Sequence, residues 1–93
     1  MLVQVGNFVT VTGVTVNGFS NGNGILIGGG VSNLTISNCQ VNECATGIGV
    51  VSGNGQYLSL MGNRLAGNTT ALNYGATGGG SLVRNNIGAA DIA

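Results

Sequence analysis

Six residues carry most of the chemical potential of this 93-residue chain: Cys39, Cys44, Glu43, Asp91, Arg64 and Arg84. There is no histidine, so neither an ordinary Ser or Cys triad nor a His-based metal site can be built. The two cysteines stand five positions apart with Glu43 between them. That spacing admits a metal or redox site, a disulfide, or two small residues at corners of a repeating structure. Two cysteines alone do not complete a structural zinc shell. Glycoside hydrolysis of the usual kind needs two carboxyl groups within about 10 Å, and calcium needs about six to eight oxygen ligands. Glu43 and Asp91 are the only acids and fall on different loops, so neither set is expected to assemble within one chain. The runs Gly28–Gly30 and Gly78–Gly80 are not followed by Gly-Lys-Ser/Thr, and they read as turn glycines rather than phosphate loops. The expectation is a protein without catalysis or cofactor.

The elements that must position these residues are short strands. Nineteen glycines and thirteen asparagines are interspersed with Val, Ile, Leu and Thr, and proline is absent. Such a composition favours strands separated by turns. Four charged residues do not make the basic face that nucleic acid requires. No apolar run approaches the roughly 20 residues of a spanning helix, so no membrane segment is expected. The start, Met1 to Val5, has no basic region followed by a long apolar one, and no signal peptide is read there.

An internal repeat organises the chain. Val9–Val16, Leu34–Val41 and Leu58–Leu65 superpose, and Gly80–Ile87 follows the same form, at offsets of 25, 24 and 22 residues. A third strand recurs as Val3–Val5, Ile25–Ile27, Ile48–Val50 and Leu72–Tyr74. Three strands per unit of about 22–25 residues is the pattern of a parallel β-solenoid. Stacking the units gives apolar columns: Val11, Ile36, Leu60, Leu82; Val16, Val41, Leu65, Ile87; and Val3, Ile25, Ile48, Leu72. Outward columns are polar, as in Thr10, Thr35, Ser59, Ser81. Cys39 falls in a corner column with Val14, Asn63 and Asn85, and Cys44 in one with Phe19 and Asn68. Both are therefore expected as small buried thiols, with a disulfide across the intervening strand left open. Leu26, Val51, Met61 and Val83 are expected on the outside as lateral contacts, with Arg64 and Arg84 as solubilising or interface residues.

The Leu34–Val41 unit, its copies and the ending Leu82–Gly88 resemble the right-handed parallel β-helix family with pectate-lyase-like repeats, as found in phage tailspikes and other virion surface proteins. The resemblance covers about Val3 to Ile87. It implies an all-β fold: a short right-handed parallel β-helix of about three and a half coils and three strands per coil. Residues 1–93 then form a single β-helix domain or a fragment of one, with 88–93 as a C-terminal tail. Family enzymes use a carboxylate-rich calcium site or a carboxylate pair, and this chain lacks the residues for either. The functional expectation is a structural protein of a phage-like virion, a capsid decoration (cement) protein or a tail-fibre or tailspike segment. It would assemble as a homotrimer with other virion proteins as partners and be made in the host cytoplasm. The alternative is a fragment of a secreted polysaccharide-active or adhesin β-helix, extracellular, whose active coils lie elsewhere.

Overall fold

Alternating β-branched and polar residues between Gly and Asn turns produce strands and no helix among the described residues. The computed structural model describes residues 1–50, 57–74 and 82–89, without the side chains of 3–7, 29, 30 and 74. Eight strands follow one another: β1 (Leu2–Thr12), β2 (Thr15–Asn17), β3 (Asn23–Ser37), β4 (Gln40–Asn42), β5 (Thr46–Val50), β6 (Ser59–Met61), β7 (Thr70–Tyr74) and β8 (Leu82–Arg84). Every pairing is parallel. One six-stranded sheet runs β7-β5-β3-β6-β8 with β1 also on β3, and a two-stranded sheet joins β2 to β4. Val51, Gly80, Asp91 and the tail beyond Ala89 lie outside the described residues.

Two of the strands expected per unit are one continuous bent strand. β1 and β3 run 11 and 15 residues, and each bends at a residue in the left-handed region, Phe8 at φ 59° and Asn33 at φ 52°. Among the described residues, 23–27 of β3 pair with β5 and 35–37 with β6. Tyr57 repeats the bend at φ 55°. A second set of left-handed corners comprises Gly13, Asn38, Gly62 and Asn85, and a third comprises Gly18, Glu43 and Gly67. The backbone thus repeats three bends at the sequence period. Glycine and asparagine occupy most of these corners because a Cβ crowds the backbone there.

The core forms where the columns meet. Val11, Ile36 and Leu60 are in register, as are Val16 with Val41 and Ile25 with Ile48, and all are buried. Leu65 is also buried, while Leu72, paired with Ile48, is partly buried against the same cluster. Close packing leaves no room at Gly47, where an added Cβ would stand 2.7 Å from Asn68 Nδ2.

The fourth unit departs from the expected alignment by one residue. Leu60 pairs with Val83 and Ser59 with Leu82, so the offset there is 23 rather than 22. Val83 is fully buried and Leu82 only half-buried, which reverses the expected roles of core and surface residue. The same slip carries Ile87 beside Arg64, where it is 59 % exposed instead of following Leu65 into the core. Asn86 takes the buried corner that was assigned to Asn85. Adjacent apolar residues at 82 and 83, and adjacent asparagines at 85 and 86, satisfy the pattern in either register. A one-residue slip exchanges the two faces of a strand.

Candidate functional site

Of the residues singled out for chemistry, the two cysteines lie in buried corners, while Glu43, Arg64 and Arg84 are exposed. Cys39 and Cys44 flank β4, are buried at 1 % and 3 % exposure, and are not disulfide-bonded. Each backbone N–H donates to an asparagine side chain one unit on: Cys39 N to Asn63 Oδ1 at 3.1 Å and Cys44 N to Asn68 Oδ1 at 3.0 Å. Each thiol lies against a carbonyl, Cys39 Sγ 3.4 Å from Ser37 O and Cys44 Sγ 3.2 Å from Asn42 O. Glu43, between them, faces solvent from a left-handed corner at φ 55°.

The first corner continues as a stack of amides. Asn63 Nδ2 donates to Ile36 O at 3.0 Å and to Asn86 Oδ1 at 3.0 Å, while Asn63 N also donates to Asn86 Oδ1 at 2.9 Å. Asn86 Nδ2 in turn donates to Leu60 O at 2.9 Å. Each amide nitrogen reaches the carbonyl of a core residue in the preceding unit. Cys39 Sγ sits 3.8 Å from the equivalent carbonyl, Val11 O, so the thiol holds the position that an amide NH₂ holds in the next two units. In the second corner Asn68 Nδ2 donates to Val41 O at 2.8 Å and Leu65 O at 2.7 Å. These bonds satisfy backbone groups that turn inward at corners, where strand pairing lapses, which is what burial of polar atoms demands.

The columns containing Cys39, Asn63, Cys44 and Asn68 were legible in the sequence, but the hydrogen bonding of the asparagines was not drawn from them. The signal was the recurrence of a short amide at the repeat distance inside an otherwise apolar set. The aromatic bends were missed altogether: Phe8 is 80 % and Tyr57 57 % exposed, both in a backbone region that bulky residues rarely adopt.

The proposed contact residues are not gathered into one patch. Met61 is exposed, and its neighbour in the following unit is Arg84, also exposed. Arg64 is exposed in a different column, between Gln40 and Ile87. Leu26 is half-buried rather than on the open surface, because Leu2 pairs with it on one side and Gly49 on the other. Among the described residues no three His, Cys, Asp or Glu side chains are grouped so as to hold a metal ion. What the buried corners can do is mechanical: they tie successive units together through amides whose hydrogen-bonding groups face inward. No family model, curated protein or solved structure matches the chain.

Proposed function

We propose that the chain is a non-catalytic structural module, a short right-handed parallel β-helix serving in a phage-like virion as a capsid decoration protein or a tail-fibre segment, and working as a trimer. The observation that carries the reading is the in-register parallel pairing of Val11, Ile36, Leu60 and Val83 across four successive units. The same left-handed corner, Gly13, Asn38, Gly62 and Asn85, accompanies it in each unit. A strand-and-corner repeat of this kind suits a stiff spacer or an adhesive plate, because each unit needs only its neighbours to bury its core. The near absence of charge favours association over existence as a free monomer. The virion assignment rests on the sequence resemblance.

A second reading, a segment of a secreted polysaccharide-active or adhesin β-helix, draws on Phe8 and Tyr57, whose exposed rings occupy equivalent bends two units apart. Cryo-electron microscopy of particles from the producing cells separates the two. The first reading expects density for three chains on the capsid or tail surface. Absence from every particle, together with depolymerisation of a polysaccharide by the longer parent protein, would establish the second. Sedimentation that gives a single 9.1 kDa species at micromolar concentration would refute the trimer.

A further inference from the structure

The left-handed bends line up in three columns, and one of them is aromatic. The columns are Phe8, Asn33, Tyr57; Gly13, Asn38, Gly62, Asn85; and Gly18, Glu43, Gly67. In the first, Asn33 lies opposite Phe8, because Asn7 pairs with Ser32 and Val9 with Leu34. The Thr35–Ser59 pair sets Tyr57 in line with both. Two strand spacings, about 10 Å, therefore separate the Phe8 and Tyr57 bends. Both rings stand in solvent, at 80 % and 57 % exposure, and Tyr57 does so in the third unit rather than the first. Asn33 makes the same turn at φ 52°, and asparagine enters that region more readily than an aromatic residue does. The bend itself does not call for a ring. Strained backbone beneath an exposed ring points instead to a contact that the ring makes.

From this column we infer that the Phe8, Asn33 and Tyr57 bends line the three-fold axis between copies of the chain, a contact that rests on the trimeric reading. A column placed on such an axis, parallel to the direction in which the units stack, meets only its own copies, level by level. Charge then decides against other placements. The third column would bring three Glu43 carboxylates together, and the faces through Arg64, or through Met61 and Arg84, would bring guanidinium groups together. The second column carries no large apolar side chain. On the face of β3 and β5, Leu26 is half-buried and Gly49 is buried against the Asn23 side chain. The first column is uncharged, and it sets Phe8 against Phe8 and Tyr57 against Tyr57, where aromatic edges and faces attract. Asn33 between the rings fixes the alignment, since a slip of one unit replaces ring against ring by amide against ring.

The test replaces each ring by the residue that the middle bend already holds. Phe8→Asn and Tyr57→Asn should fold, as judged by circular dichroism. By sedimentation, each should raise the concentration at which the trimer dissociates by at least about tenfold. Gln40→Ala, on the face of Arg64, should leave that concentration unchanged. If either ring variant fails to fold, hydroxyl-radical labelling of the unmodified protein reads the same contact. Oxidation of Phe8 and Tyr57 should rise several-fold on dilution from trimer to monomer, while that of Met61 stays constant. Folded ring variants that dissociate like the unmodified chain, a Gln40→Ala effect as large as theirs, or ring labelling that ignores dilution would overturn the contact and leave the trimer standing. A native mass other than three times 9.1 kDa would overturn the trimer and the contact together.

Discussion

Single side chains explain why the corners hold. A buried amide at Asn63 serves three groups at once: the Cys39 N–H, the Ile36 carbonyl and the Asn86 carboxamide oxygen. Asn63→Ala takes the side-chain partner from the Cys39 N–H and the Ile36 carbonyl in a dry corner, while Asn86 Oδ1 keeps the Asn63 backbone N–H, and the expected loss is about 1–3 kcal/mol, given the cost of unsatisfied buried groups. Urea unfolding should show it as a lower midpoint with an unchanged slope. The opposite change belongs one unit earlier. Cys39 occupies the same column as Asn63, with its thiol 3.8 Å from the carbonyl that an amide would bond. Cys39→Asn should extend the stack and raise stability by about 1 kcal/mol, the net worth of a typical hydrogen bond. A fall in the midpoint would show that the corner is shaped for sulfur. Neither effect follows from residue type alone, since asparagine is common throughout the chain and most copies face solvent or turns.

At the scale of the strand, register is the quantity at issue. The apolar columns through Val11, Ile36 and Leu60 were readable because three units share one alternation and one corner spacing. The fourth unit was not, because Leu82-Val83 and Asn85-Asn86 fit two alignments equally well. The third and fourth units also differ in length, and sequence matching absorbed that difference by placing Leu82 and Ile87 inside. Backbone pairing resolves the ambiguity: Leu82 N bonds Leu58 O at 2.7 Å and Ile87 N bonds Asn63 O at 2.8 Å. The register makes a paired prediction. Val83→Asp should cost at least about 3 kcal/mol by burying an unpaired charge, whereas Leu82→Asp, half-buried beside Ser59, should cost about 1 kcal/mol. Thermal or urea unfolding of the two variants checks it, and the reverse order would restore the 22-residue offset.

For the whole molecule, the test of cooperativity is the pair of thiols. Cys39 and Cys44 are buried in the second unit with further units on both sides, so a thiol reagent reaches them only when the stack opens. Their modification in native buffer should proceed at the rate of unfolding, and both should react together. Fast reaction of one thiol in the folded protein would mean that the second unit opens on its own.

The sequence by itself determined the period, the all-β class and most of the core columns. Alternation and turn chemistry are local, and the repeat presents each of them several times. It also determined the scarcity of charge. Tertiary structure alone decided which of two adjacent residues faces inward in the fourth unit, since that choice belongs to hydrogen bonds made with the third. It likewise decided that the corner asparagines bond across units, and that β1 and β3 bend at Phe8 and Asn33 rather than break. These features depend on where a neighbouring unit's carbonyls and amides lie in space, and that geometry exists only once the parallel strands have paired.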